Sequence, residues 1–139
     1  EIDAKTKTWT IPKERMKAGR EHYVPLSQAA WDVLQQARGG WPDGTEPTGL
    51  IFPGTKSKPI SDMTLTQLLR RMQQPYTVHG FRASFRTWGA DIAHYEHDML
   101  EIALSHIVGD ATVRAYHRSD MVEKRRKLMA EWAAYLEPG

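Results

Sequence analysis

Thr8-Trp9-Thr10-Ile11-Pro12-Lys13-Glu14-Arg15-Met16-Lys17-Ala18-Gly19-Arg20-Glu21-His22-Tyr23-Val24-Pro25-Leu26-Ser27 is the stretch that decides how this 139-residue chain folds. Residues 8–12 and 21–26 alternate polar and apolar side chains, with β-branched and aromatic residues among the apolar ones, as half-buried strands do. The polar run 13–20 contains Gly19 and reads as a hairpin loop. Ile2-Asp3-Ala4 supplies a third short strand. After Ser27 the period changes. Ser27 is an N-cap residue for a helix carrying Ala29, Trp31, Val33 and Leu34 as far as Ala37, which Gly39-Gly40 ends.

Residues 39–59 are rich in Gly, Pro and Thr and read as a loop, with Leu50-Ile51-Phe52-Pro53 as its buried anchor. A second helix, capped by Ser61 or Asp62, puts Leu65, Leu68, Leu69 and Met72 on one face and stops at Pro75. A third runs from His79 through Phe81, Phe85, Trp88 and Ile92, and a fourth spans 98–104. Asp110 caps a short fifth carrying Val113 and leading into Tyr116. A last helix starts near Asp120 with Val122, Leu128, Met129, Trp132 and Leu136 as its stripe. The expected class is α+β: mainly α-helical, with a small N-terminal three-stranded antiparallel sheet, in one domain covering 1–139.

Hydrophobic residues make up 40% of the chain and charged residues 26%, an ordinary globular balance. Cysteine is absent, which excludes a disulfide framework, a thiolate nucleophile and a cysteine-based zinc site. No apolar run approaches the ~18 residues of a membrane span. The net charge of +2 does not mark a nucleic-acid binder. The basic residues are nonetheless clustered, at Lys13, Arg15, Lys17 and Arg20, at Arg70-Arg71, and at 124–127. Glu1-Ile2-Asp3 carries neither an initiator methionine nor a signal-peptide pattern, so the chain is expected to be a fragment of a longer protein.

Five separated residues carry the chemistry. His79 and Arg82, spaced i,i+3 at the start of a helix, share a face where free N–H groups and the dipole favour an anion, and the guanidinium fork grips two phosphate oxygens. Taken alone, this pair reads more simply as a capping histidine and a surface arginine. Tyr116 is a phenol that becomes a nucleophile only with a cationic surround or a base, its ordinary pKa being ~10. The plain alternative is a half-buried structural tyrosine. His106 can hydrogen-bond a phosphoryl oxygen, or simply end a helix. Lys17, on the hairpin, can protonate a leaving alkoxide, with Lys13, Lys56 and Lys58 as rivals on composition.

These residues fall in four ordered motifs. Arg15-Met16-Lys17-x-x-Arg20-x-His22-x-Val24-Pro25-Leu26-Ser27 resembles the strand hairpin of phage and genomic-island integrases of the tyrosine recombinase family. His79-Gly80-Phe81-Arg82 resembles that family's His-x-x-Arg box, and Leu104-Ser105-His106 its Leu-x-His motif. Ala115-Tyr116-x-Arg118-x-Asp120, with the segment from Arg125 to Leu136, is similar to its nucleophile segment and closing helix. The resemblance implies the family's catalytic-domain fold, truncated at its N-terminus, and a set of roles. Tyr116 would attack the scissile phosphate to give a 3′-phosphotyrosyl link and a free 5′-hydroxyl. Arg82 and His106 would stabilise the pentacoordinate phosphate, His79 would assist proton transfer, and Lys17 would act as general acid. It implies no metal or other cofactor.

The same resemblance implies site-specific integration and excision of a prophage or genomic island in a bacterial cytoplasm. It also implies double-stranded attachment-site DNA as partner, a homo-oligomer (a tetramer on DNA), accessory DNA-bending proteins, and no membrane. The family's other catalytic arginine belongs upstream of the first strand and is expected, with separate DNA-binding domains, before Glu1. The fragment alone is therefore expected to be inactive. Arg15, Arg20 and Arg86 are candidate DNA phosphate contacts from charge and position. Three other readings stand beside this one: a type IB topoisomerase-like strand passer, a non-catalytic DNA-binding module of a decayed integrase, and a metal-dependent phosphoesterase using His94-x-x-His97-Asp98. A solvated turn explains that last motif better than a metal site. Trp9, Trp31, Trp88 and Trp132 fall on apolar faces and read as core.

Overall fold

The structure, a computed structural model, describes residues 1–37, 49–109 and 111–137, with residues 57 and 111–120 described by backbone alone. Strands β1 (Ile2–Asp3), β2 (Thr8–Ile11) and β3 (His22–Pro25) form an antiparallel sheet in the order β1-β2-β3, with Trp9 opposite Val24 and Ile11 opposite His22. Helices α1 (Gln28–Ala37), α2 (Thr64–Arg71), α3 (Val78–Thr87), α4 (His97–Ala103) and α5 (Ala111–Leu136) follow. The expected α+β class and the sheet are what the chain adopts. Ser27 caps α1 as expected, accepting from the Ala30 N–H at 3.2 Å. The Gly39-Gly40 stop lies outside the described residues.

Four details differ from expectation. Neither Ser61 nor Asp62 caps α2. Met63 occupies that position without a side-chain cap, while the Ser61 carbonyl accepts from the Thr64 N–H at 2.9 Å. The helix ends at Arg71, before Pro75, where Gln73 takes a left-handed conformation (φ 53°). Leu50 and Phe52 do not anchor the loop in the interior. They are 41% and 52% exposed, because the segment closes on itself through the Gly54 N–H to Lys58 carbonyl bond of 2.7 Å.

The fourth difference is at the C-terminus, where one continuous helix of 26 residues replaces the expected break before Asp120. Ser119 and Asp120 cost only about 0.5 kcal/mol each in a helix interior. Packing downstream outweighs that. Met121, Arg125 and Leu128 of α5 are buried, and α5 packs on β3, α1 and α4. Leu136, expected in the stripe, is exposed.

The core that holds the site together is aromatic. Phe85, Trp88, Leu100 and Leu128 are buried, with Tyr95, Met129 and Trp132 against them. The Trp88 and Trp132 rings lie 5.0 Å apart, and Phe85 meets Trp132 edge-on at 5.5 Å. Such pairs contribute about 0.5–1.5 kcal/mol each beyond area burial. After α3 the chain loosens into a π-turn, Trp88–Ile92. Gly89 is required there, since a Cβ would stand 2.3 Å from Leu100 Cδ2. This close approach fixes α3 against α4. Tyr95 Oη donates to Glu131 Oε2 at 2.7 Å, joining the following turn to α5. At the other end Arg126 Nη2 donates to Thr8 Oγ1 at 3.0 Å, fastening α5 to the sheet.

Candidate active site

The C-terminus of α4 organises the site. Ser105 takes a left-handed conformation (φ 62°), a role glycine usually fills. Its N–H bonds the Ile102 carbonyl at 2.9 Å, and the His106 N–H bonds the Glu101 carbonyl at 2.8 Å. This is a Schellman cap, and it folds Leu104-Ser105-His106 back over the helix it ends. His106 thereby comes alongside Glu101, its Nδ1 2.5 Å from Oε2.

Arg82 reaches the same corner from α3. Its Nη2 donates to the Leu104 carbonyl at 2.6 Å and lies 3.0 Å from His106 Nε2. Arginine has only donors, so Nε2 must offer its lone pair and Nδ1 must carry the proton toward Glu101. The neighbours therefore select one tautomer of His106. Arg86 Nε donates to Glu101 Oε1 at 2.6 Å, so a single carboxylate braces a histidine and an arginine. Bonds from His106 first, and then from Arg86, hold the Glu101 carboxyl below the ordinary carboxylate range.

Beside this corner lies a cleft of about 810 Å³ between the β2–β3 hairpin, the end of α4 and α5. Arg20 and His22 from the hairpin side, Ser105 and His106 from α4, and Arg125 from α5 line it. His22 is pushed down to about 4, mainly by burial and next by the Arg125 charge, so it is neutral at pH 7. Arg125 is buried at 4% exposure. Lys17 is exposed in the turn closed by the Gly19 N–H to Met16 carbonyl bond of 2.9 Å. The next residues, Ala18 and Gly19, line the cleft.

The other expected site residues fall as follows. His79 is exposed in the first turn of α3, where Thr77 caps the helix by accepting from the Gly80 N–H at 3.0 Å. Arg15 is taken up by Glu1, with Nη1 2.6 Å from Oε2. Tyr116 lies on α5, and its side chain is outside the described residues. His97 faces Asp98 at 3.3 Å and Glu101 at 3.8 Å. Among the described residues no group of three or more His, Asp or Glu is arranged to hold a metal ion. None of their helices is long and apolar enough to cross a membrane.

Glu101, His22 and Arg125 were not singled out as site residues from sequence. Arg125 left the clearest signal, as the one charge in the inward-facing 121/125/128/132 series of α5, in which Trp132 is partly buried and the others are buried.

A guanidinium and an oriented imidazole stand together at the edge of the cleft, groups whose chemistry suits a phosphate-like anion. The model of the phage integrase family matches residues 1–123, and the chain belongs to that family. It is 34% identical over 137 residues to prophage integrase IntA of Escherichia coli (strain K12), covering 96% of this chain and 32% of that protein. It is 33% identical to prophage integrase IntZ of the same organism, covering 95% and 32%. To the integrase of Enterobacteria phage P4 it is 31% identical over 156 residues, covering 99% and 35%. The chain thus spans about a third of the length of the curated relatives it matches. No solved structure gives a significant match.

Proposed function

We propose that this chain is the catalytic domain of a site-specific DNA recombinase that cuts and rejoins strands through Tyr116. The observation that carries the proposal is the Arg82–His106 contact of 3.0 Å, braced by Glu101, at the edge of the cleft. The Tyr116 phenolate attacks phosphorus in line with the 5′ oxygen, forming a 3′-phosphotyrosyl bond as the P–O5′ bond breaks. Lys17, on the exposed hairpin turn, gives the leaving oxygen its proton. Arg82 stabilises the charge that grows on the non-bridging oxygens, and His106 joins it once its Nε2 is protonated and turns from Arg82 to donate to the phosphate, with His79 assisting. The phosphotyrosyl bond keeps the energy of the broken diester, so the reverse attack by a 5′-hydroxyl reseals without ATP.

The partner in this proposal is duplex DNA, held by an oligomer, a tetramer on paired sites, with DNA-bending proteins assisting, in the bacterial cytoplasm. Arg20 in the cleft is available for a backbone phosphate. Arg15 and Arg86 must first exchange Glu1 and Glu101 for one.

Site specificity separates this proposal from topoisomerase-like relaxation and from a non-catalytic module. Incubating the chain, extended upstream of Glu1, with a random-sequence nicked-duplex library in EDTA, and sequencing the DNA covalently retained, tests it. One recurring sequence is expected. Retention of all sequences alike would favour a strand passer, and no retention a decayed module. Retention that required added metal would overturn the mechanism.

A further inference from the structure

Arg125 is a buried cation held at a cost in stability. It occupies the buried stripe of α5 between Met121 and Leu128, where an apolar residue would pack well, and is 4% exposed. Its Nε donates to the Met121 carbonyl at 3.2 Å. Among the described residues its two Nη groups have no hydrogen-bond partner, and no carboxylate lies within ion-pair distance. An uncompensated buried cation costs stability, and neutralising it by deprotonation is not open to it at neutral pH. Burial lowers it only to about 10.

The surroundings add positive charge rather than removing it. His22 of β3 is faced by Arg125 from α5, Arg82 from α3 and the Ala103 backbone from α4. Among the described residues, the carboxylates around the cleft have partners other than Arg125. Glu14 pairs with Lys13, Glu21 accepts from the Tyr23 hydroxyl, and Glu101 holds His106 and Arg86. Glu14 and Glu21 line the hairpin side of the cleft, and among the described residues no carboxylate stands within ion-pair distance of Arg125 at its floor.

We infer that Arg125 and His22 form an anion-binding floor in this cleft, where Arg125 grips a non-bridging oxygen of a DNA phosphodiester beside the Arg82–His106 corner. This rests on the reading of the cleft as a phosphodiester site. It adds a second guanidinium from within the chain, with His22 as the group that registers the bound charge. An anion between Arg125 and His22 leaves the burial in place but offsets the Arg125 charge, the second cause of the low His22 value, and offers an imidazolium a partner, so binding raises the proton affinity of His22.

The test uses sulfate, a dianion at all relevant pH values, with the His22 ring followed by NMR. Saturating sulfate is expected to raise the His22 midpoint by about one pH unit, a tenfold change in proton affinity. Arg125→Met should abolish the rise, and Arg125→Lys should keep part of it. Duplex DNA should displace the sulfate, and in duplex binding Arg125→Met should make the salt slope shallower by about 0.9. Arg125→Met should melt no lower than wild type, since the Met121 carbonyl keeps its helix bond and no other partner among the described residues is lost.

An unmoved His22, an unchanged salt slope, or an Arg125→Met chain that melts lower or fails to fold would each overturn the inference. Sulfate that duplex cannot displace would overturn the assignment to DNA. Because the sulfate readout needs no strand cleavage, it stands or falls apart from the Tyr116 reaction. A responding His22 with no covalent adduct keeps the floor and loses the recombinase.

Discussion

His22→Gln should remove most of the acid sensitivity of this fold between pH 7 and pH 4. In the folded chain His22 titrates at about 4, against an ordinary value of 6.5, mainly because burial disfavours the imidazolium and Arg125 repels it. As pH falls the unfolded chain takes up this proton first, so the stability tied to a neutral His22 is complete above about pH 6.5 and is lost on the way down to about pH 4. At ~1.4 kcal/mol per pH unit the loss would approach ~3 kcal/mol by pH 4, and solvent screening at this half-buried ring cuts it to about 1–2 kcal/mol, accruing progressively from pH 6.5 downward. Glutamine keeps a donor for the Ala103 backbone and has nothing to protonate. The assay is urea denaturation of both chains at each pH, with the difference between their unfolding free energies plotted. The lowered Glu101 carboxyl acts below its ordinary value of 4.5 and contributes to both chains. A difference that stays flat from pH 7 to pH 4 would refute the burial of a neutral His22 in this cleft.

The remaining predictions concern the corner and its support. Glu101→Gln leaves His106 Nδ1–H and Arg86 Nε–H without their shared carboxylate; covalent strand capture should fall roughly 10²–10³-fold, the scale of a lost transition-state contact, while thermal melting shows the fold intact. Ser105→Gly relieves the left-handed conformation of the α4 cap and should stabilise the chain by about 0.5–1 kcal/mol in urea denaturation. Gly89→Ala drives a methyl into Leu100, the Cβ standing 2.3 Å from Cδ2; it should cost about 1–3 kcal/mol and should loosen the α3–α4 contact, seen as weaker hydrogen-exchange protection of α4.

How far the sequence revealed this differs from element to element. The sheet was legible because 8–12 and 21–26 alternate and a polar, glycine-containing run joins them. Arg82 and His106 were legible as members of ordered motifs, yet their 3.0 Å contact depends on a helix cap that no periodicity displays. Glu101 was invisible for the same reason. Five residues apart, it and His106 lie on different sides of a regular helix and meet only because Ser105 reverses the chain.

Ser119-Asp120 looked like a helix start, and packing downstream overrode it. Leu65, Leu68 and Met72 lined up on α2 as their spacing predicts, but that face is 47%, 48% and 56% exposed. Pattern specifies which residues share a face, not what covers it. Arg125 shows the converse. A charge inside a 4-3-4 apolar series is readable, and here it falls on a side chain only 4% exposed.

The central claim is that Tyr116 is the nucleophile of a metal-free phosphoryl transfer. Its most direct test is peptide mapping by mass spectrometry of protein captured on nicked duplex in EDTA, with the chain extended upstream of Glu1. The account predicts one modified residue, Tyr116, carrying a 3′-linked nucleotide, with no capture by Tyr116→Phe. An adduct on any other side chain, or undiminished capture by Tyr116→Phe, would contradict it.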